Sequence, residues 1–295
     1  MKKENHTSVV ENNYGTRDKR NHYHPHKKVG YPPVFVWPLK PLSAILWLVS
    51  FPGYFLPWNL FYMVLGLIAW YLLSPQLEDY TYVTLNLLIV VYMRNAILAF
   101  TYYGLFHLKL LIKKRQGIIF KFNPRWPNLK SKLFLFGNQT YDNIFWTFIS
   151  GVSIWTLFEV FILSLAANGY LNIISPSEQP IYFGVMICLI HLWRDLHFYL
   201  IHRLIHWRPL YKIAHYIHHK NTNPGPWSGL AMHPIEHAMY FSCAFLYILF
   251  PFHPVFVVLT LVHAGLSPAP GHAGFERMVT SPGKAGFDLD SYAHY

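Results

Sequence analysis

Four long apolar runs limit what this chain can fold into more than any other feature. They cover residues 42–73, 81–112 and 144–167, and a stretch that starts at Ile181. Each is long enough to cross a hydrocarbon core, which takes about 20 residues of helix. The composition agrees, since 53% of the residues are hydrophobic and 13% are charged, whereas a soluble domain has roughly 25% charged residues. We therefore expect an all-α bundle of about four membrane spans.

Prolines interrupt the first run and a last apolar stretch. Pro52 and Pro57 divide the first run, which predicts either one kinked span or an interfacial piece followed by a span, because proline removes a helix donor. Pro251 and Pro254 divide residues 238–265. A re-entrant hairpin is therefore at least as consistent with this stretch as a further span.

The charges of the connecting segments predict an orientation. Residues 1–40 contain eight Lys or Arg and 109–132 contain eight with no acid, whereas 74–80 and 168–180 carry acidic charges only. Basic loops stay in the cytoplasm, so the polar tail, the basic loop and the histidine-rich segment 191–237 are predicted to be cytosolic. The tail is expected to be solvated, without a cleavable signal peptide. Topology also explains the net charge of +11, and no nucleic-acid partner is expected, because no nucleic-acid motif accompanies the charge.

Three polar residues lie within the apolar runs. Arg94, Asn95 and Glu159 occupy positions that hydrocarbon would surround. Ionisable groups are costly there and often functional. The alternatives are that they snorkel to the interface or pair two helices.

Histidines are concentrated in one segment, with nine of eighteen between residues 191 and 237. Seven of them form three groups at helical spacing: His202 and His206; His215, His218 and His219; and His233 and His237. At 100° per residue, the members of each group share a helix face. Burying so many imidazoles is costly without a shared partner, and a metal ion is the natural one. Seven ligands exceed the four of a tetrahedral zinc, which favours two ions.

The segment contains only two acidic residues, Asp195 and Glu236. If the fourth span continues into the segment, Asp195 and His191 share the face of His202, which makes Asp195 a candidate for orienting a metal-binding imidazole. His197 points away and is predicted to be structural. A zinc protease is disfavoured, because the glutamate of H-P-I-E-H is not placed as in H-E-x-x-H.

The motifs resemble those of a known family. They are D-L-H-F-Y-L-I-H-R-L-I-H (195–206), L-Y-K-I-A-H-Y-I-H-H-K (210–220) and P-G-P-W-S-G-L-A-M-H-P-I-E-H (224–237). Together they resemble the fatty acid hydroxylase and sterol desaturase superfamily of membrane-bound di-iron enzymes. The order of the boxes is most similar to the sterol C-5 desaturase branch, and the resemblance covers about residues 144–295.

The resemblance implies a domain organisation and a site. A polar tail (1–40) and an N-terminal membrane region (41–143) would precede a catalytic domain (144–295) with a cytosolic, histidine-rich helical cap. The cap would hold two Fe ions, with Zn as a possible substitute, and use O2 to hydroxylate or desaturate a C–H bond of a sterol or fatty acyl lipid. Asp195 and Glu236 would fix ring tautomers. The implied metal ligands are His202, His206, His215, His218, His219, His233, His237 and His294.

The last box is incomplete in this sequence. Residues 291–295, which include His294, resemble the opening of a further H-x2-H-H box, and its last two histidines are absent. We therefore expect a truncated domain. His263 matches a family position loosely, while His253 and His272 lie in no box and are predicted to be structural.

Two other functions stay open: a catalytically inactive membrane homologue and a zinc-dependent lipid hydrolase. An oxygenase of this kind would take its lipid from the bilayer and its electrons from an external haem or ferredoxin-type carrier, because no flavin, haem or nicotinamide motif is visible. The basic face, which includes Lys113, Arg115, Lys130 and Lys132, either follows the positive-inside rule alone or also docks an acidic carrier or anionic lipid. The expected location is the endoplasmic reticulum of a eukaryote or the inner membrane of a bacterium.

Overall fold

The computed structural model describes residues 10–27, 32–281 and 283–289, and these are mostly helical. The helices, in chain order, are α1 Pro41–Val49, α2 Phe55–Leu73, α3 Leu85–Ile112, α4 Gln139–Ala167, α5 Pro180–Ile205, α6 (208–219), α7 Pro234–Phe241, α8 Val255–Leu266 and α9 Pro268–Gly271. Short helical turns connect them at Pro33–Phe35, Leu77–Thr81, Leu135–Gly137, Pro226–Leu230, Ser242–Phe245 and Leu246–Leu249. Two small antiparallel sheets pair β1 Gly15–Arg17 with β2 Tyr23–Pro25, and β3 Arg277–Met278 with β4 Phe287–Asp288.

Helices α2, α3, α4 and α5 are each long and apolar enough to cross a membrane, with 19 to 29 residues. Side-chain caps fix where two of them begin. Thr84 accepts a hydrogen bond from the backbone N–H of Leu87 before α3, and Asn138 accepts from Thr140 and Tyr141 at the start of α4. Such caps satisfy donors that the first helical turn leaves unpaired. The prediction of an all-α membrane bundle is confirmed.

The first apolar run forms a short helix followed by a span. The prolines separate α1 from α2, as the second of the two alternatives predicts. Leu42, Ile45, Leu46 and Val49 form one stripe of α1, and each is more than half exposed. Their spacing is that of a single helix face.

The last apolar stretch forms a hairpin that crosses the bundle and returns. Its turn lies at Phe252, whose N–H donates to the carbonyl of Asn172 and whose carbonyl accepts from the N–H of Ile174, both at 3.0 Å. The linker 168–180 lies at the end of the bundle opposite the histidine-rich segment, so the stretch reaches that end before α8 brings it back. Every residue of α8 is buried. The hairpin therefore forms the centre of the core.

A buried ion pair joins the second and third spans. Arg94 in α3 donates to both carboxylate oxygens of Glu159 in α4 at 2.5 Å, and Asn95 also donates to Glu159 at 3.3 Å. All three side chains are buried. The interpretation of these residues as a helix pair is confirmed.

The N-terminal tail is not solvated throughout, which corrects the prediction for residues 1–40. Strands β1 and β2 form a hairpin, and Tyr23 is buried against Phe120 and Phe122. The Tyr23 hydroxyl donates to Glu276, and Glu11 accepts from the backbone N–H of Phe120. Residues 10–27 thus pack against the basic loop and the C-terminal segment. The buried Tyr23 ring and a few hydrogen bonds hold this segment in place, although most of its residues are polar.

Candidate metal centre

Four histidines converge where α5 ends and α6 begins. His202 lies on the last turn of α5 and His206 directly follows it, while His215 and His219 lie on α6. One ring nitrogen from each lies within 4.8 Å of those of the other three. The Nε2 atoms of neighbouring rings are 3.2 Å apart for His202 and His206, 3.3 Å for His206 and His215, and 2.9 Å for His215 and His219. We call these four residues the histidine cluster.

The local sequence explains the convergence. Each pair of histidines is spaced four residues apart, so its side chains project from one helix face. Trp207 has extended ψ and ends α5, while Pro209 lies in the first turn of α6, where proline is favoured. The sharp turn between the helices brings the two histidine pairs together.

Two rings of the cluster, those of His215 and His219, favour the uncharged form. Burial lowers the pKa of both His215 and His219 to about 4, and the neighbouring His206 acts in the same direction. These rings are therefore neutral at pH 7. Neutral imidazole is the form that binds metal ions.

Glu236 supports the cluster from α7. Its Oε1 lies 2.7 Å from Nδ1 of His215, and both side chains are buried. Burial raises the pKa of Glu236 to about 8. The contact occupies Nδ1 of His215, so that Nε2 faces the other histidines. When Glu236 is ionised, this is the arrangement in which a carboxylate orients a metal ligand.

A cavity of about 390 Å³ adjoins the cluster. His202 and Glu236 line it on the side of the cluster, and Trp58 and Tyr62 line it from α2. Its volume lies in the range of roughly 300–1,000 Å³ that small-molecule sites have. The first span therefore contributes a wall to the cavity, although its sequence carries no histidine.

A second pair of histidines lines the same cavity. Nε2 of His218 and Nε2 of His272 are 3.2 Å apart. Nδ1 of His272 donates to the carbonyl of Pro268 at 2.9 Å, which leaves the Nε2 of a neutral His272 as an acceptor. The spacing of the histidines does not predict this contact, because His272 follows α9 and has no partner at helical spacing.

His263 also lines the cavity. Its ring centroid lies 4.4 Å from that of His191, and its Nε2 lies 3.2 Å from Oδ1 of Asn59. His191 and His263 are both buried, and neither belongs to the histidine cluster. His197 and His253 lie elsewhere, with His197 bonded to Ser242 and His253 accepting from the N–H of Val255.

The structure does not bring two further predicted ligands, His233 and His237, into the cluster. Nδ1 of His233 accepts from the N–H of Ile235 and caps α7. Nδ1 of His237 lies 2.8 Å from the Ser150 hydroxyl, and its Nε2 lies 3.2 Å from the Leu230 carbonyl. His294 lies outside the described residues.

The two predicted carboxylates differ in their contacts. Glu236 contacts a histidine of the cluster, whereas Asp195 accepts a hydrogen bond from Arg194 at 3.3 Å. Asp195 lines the cavity, and about half of its side chain is exposed. Asp195 shares a helix face with His202 and therefore lies near the site, but its hydrogen bond goes to Arg194 and not to the His202 ring.

Comparisons with known proteins assign the segment that holds these residues. Residues 187–293 match the family model named fatty acid hydroxylase. A curated relative, the Delta(7)-sterol 5(6)-desaturase ERG3B of Gibberella zeae, is 34% identical over 110 residues. The match covers 34% of this chain and 33% of the relative, so the chain spans about a third of the length of the relative it matches. No solved structure matches the chain significantly. The resemblance to the superfamily and to its sterol desaturase branch is confirmed.

Proposed function

We propose that this chain is a membrane-bound oxidoreductase that uses a histidine-held di-iron centre and O2 to hydroxylate or desaturate a lipid C–H bond. The observation that carries the proposal is the histidine cluster, which opens on a cavity at the end of the spans inside a fatty acid hydroxylase domain. A polar site beside apolar spans suits a substrate that comes from the bilayer.

The donor atoms fit iron. They are imidazole nitrogens that face one another at 2.9 to 3.3 Å, and imidazole suits iron as well as zinc. The histidine cluster would hold one ion. His218 and His272, which line the same cavity, are candidates for the second, and His294 stays a prediction.

The metal supplies what the side chains lack. When bound, iron provides the redox chemistry with O2 that is needed to oxidise an unactivated C–H bond, with electrons from an external haem or ferredoxin-type carrier. The protein contributes position. A bound metal ion would favour the ionised form of Glu236, and that carboxylate would accept a hydrogen bond from Nδ1 of His215, so that Nε2 directs its lone pair toward the cluster.

The cavity would bind the lipid. Trp58, Tyr62 and Phe198 give it apolar walls, while Arg194 and Asn59 add polar groups to the lining. Such a lining suits a lipid with one oxygen-bearing end. The name of the Gibberella zeae relative makes a sterol the first substrate to test, and a fatty acyl lipid is the second.

The test compares the full chain with two variants purified in mild detergent after iron loading. We expect His219→Ala to lower the iron content and to abolish both reductant-dependent O2 uptake and formation of the lipid product. The product is a lipid that has gained one oxygen atom or lost two hydrogen atoms. His197→Gln is the control, because His197 lies outside the cluster and glutamine can keep the bond to Ser242.

Two results would contradict the proposal. One is O2 uptake and product formation by His219→Ala equal to those of the unmodified chain. The other is release of a fatty acid by the zinc-loaded, iron-free chain, which would identify a zinc-dependent lipid hydrolase.

A further inference from the structure

A groove of about 440 Å³ lies between the first two spans, at the end where the basic loop begins. Its floor is aromatic. The rings of Phe61 in α2 and Tyr102 in α3 stack at 5.7 Å, and those of Tyr102 and Phe106 meet edge to face at 5.2 Å. Met278 of β3 lines the groove as well. The groove is therefore an apolar slot on the side of the bundle.

Three cations line one end of the groove: Lys109, Lys113 and Arg115. None of the described residues that line the groove is acidic, and the three side chains form no ion pair within the part of the chain that the structure describes. Their neighbours differ, since Lys114 lies 4.2 Å from the centre of the Trp126 ring and Lys121 donates to the Asn123 carbonyl. The groove thus combines an apolar slot with uncompensated positive charge.

We propose that this groove binds an anionic phospholipid, with an acyl chain in the slot and the phosphate against the three cations. Tyr102 and Lys109 are seven residues apart in one helix, which corresponds to about 10 Å along its axis. A chain lying against Tyr102 would therefore bring a head group to the level of Lys109. Basic pockets between spans are suited to anionic head groups.

The shape of the site favours a lipid over a soluble acidic protein. Leu105 and Leu108 lie beside the aromatic floor and are exposed on the side of a span, which is where a bilayer would lie. A soluble carrier would meet the charges but leave the slot empty. The positive-inside rule accounts for the number of basic residues in the loop, but not for three of them at the end of an apolar slot.

The groove is connected to the cavity beside the histidine cluster. The hydroxyl of Tyr102 lies 3.0 Å from that of Tyr62, and Tyr62 lines the cavity. A bound phospholipid would hold Tyr102 in place and thereby one wall of the cavity. This connection rests on the proposed function, whereas binding of the phospholipid does not.

The test measures binding rather than turnover. The full chain is solubilised in mild detergent from vesicles of equimolar phosphatidylglycerol and phosphatidylcholine, and the retained lipids are counted by mass spectrometry. We expect phosphatidylglycerol to be enriched. Lys113→Ala with Arg115→Ala should reduce the enrichment about tenfold or more, since each basic residue near a surface attracts anionic lipid appreciably.

Two further variants separate the site from general surface charge. Lys130→Ala with Lys132→Ala removes the same charge from exposed residues of the same loop outside the groove and should leave the enrichment within about twofold. The charge-keeping pair Lys113→Arg with Arg115→Lys should retain it.

Three outcomes would overturn the inference. Equal loss in the two alanine pairs would mean a diffuse surface effect, and equal retention of both lipids would mean an unselective apolar surface. Unchanged lipid retention by Lys113→Ala with Arg115→Ala, together with lost binding of an acidic electron carrier, would identify a protein-docking surface. Failure of the proposed enzyme activity would leave the lipid measurement unaffected, so the two proposals fail separately.

Discussion

Glu236 and Asp195 are both carboxylates beside the cavity, but only Glu236 touches a ring of the histidine cluster, at 2.7 Å from His215. Glu236→Gln should weaken metal binding by about 10- to 100-fold, because a group that orients a ligand has effects of that size. Asp195→Asn should leave the metal affinity within about twofold, since its bond goes to Arg194. Titration of the apo chain with Fe(II) or Zn(II) measures both. Equal affinities of the two variants would show that the contact with His215 does not orient the ligand.

Trp58 separates two cavities. It lines the one beside the histidine cluster and also one of about 460 Å³ that is lined by residues of the tail, of the turn before α2 and of the segments 276–277 and 286–288. Its Nε1 donates to the Asp288 carbonyl at 3.2 Å. Trp58→Ala should join the cavities and admit water, so a chelator should remove metal several-fold faster than from the unmodified chain. Trp58→Phe should keep most of the separation. Equal rates of metal loss for the two variants would mean that the Trp58 side chain does not separate the two cavities.

At the scale of helices, the Arg94–Glu159 pair can be tested by removing one or both charges. Arg94→Met leaves a buried carboxylate unpaired, which costs about 3–5 kcal/mol. Arg94→Met with Glu159→Met removes both charges and should recover most of the loss. Thermal unfolding in one detergent gives the comparison. A double variant no more stable than the single one would show that the pair adds more than charge compensation.

The tail hairpin depends on one aromatic side chain. Tyr23→Ala removes a side chain that is 2% exposed, and truncation of a buried aromatic costs about 3–5 kcal/mol. We expect the hairpin to detach, so that trypsin cleaves at Arg17 and Arg20 many times faster. Tyr14→Ala is the control, since Tyr14 is 36% exposed. Unchanged cleavage of Tyr23→Ala would mean that other contacts hold the segment.

The elements differ in how far the sequence predicts them. The spans follow from apolar length, but the third begins at Gln139 rather than Ile144, because the Asn138 cap starts the helix before the apolar run does. The hairpin around Tyr23 could not be predicted, since its strands are three residues long and its main partners are about 100 and 250 positions away. Patterns of hydrophobicity predict which residues of a segment are buried, but they do not predict contacts between residues so far apart in the sequence.

For the molecule as a whole, the spacing of residues predicts which side chains share a face of one helix, but it does not predict which helices come together across loops. The pairs His202 and His206, and His215 and His219, were predicted to share faces, and the structure brings the four together. Spacing alone could not show that His237 bonds to Ser150 or that His272 meets His218, because these positions depend on how α7 and α9 pack. The domain boundaries of 1–40, 41–143 and 144–295 stay a prediction.

The arrangement of the spans predicts one sidedness for the whole protein. The basic loop joins α3 to α4 at the end of the bundle that holds the histidine cluster, and the acidic linkers lie at the other end. We therefore propose that the cluster faces the cytosol, where an external electron carrier would reach it. Cys188→Ser with Cys243→Ser gives a background for single cysteines at two exposed positions, Lys130→Cys and Glu178→Cys.

In sealed, right-side-out vesicles, a membrane-impermeant maleimide should label Glu178→Cys and should label Lys130→Cys only after the membrane is opened. Inside-out vesicles should give the reverse, because a single span, α4, separates the two positions. Labelling of both positions from the same side would contradict a single crossing between them. Reversed labelling would keep the bundle but move the histidine cluster to the outer face, where a cytosolic carrier could not deliver electrons to it.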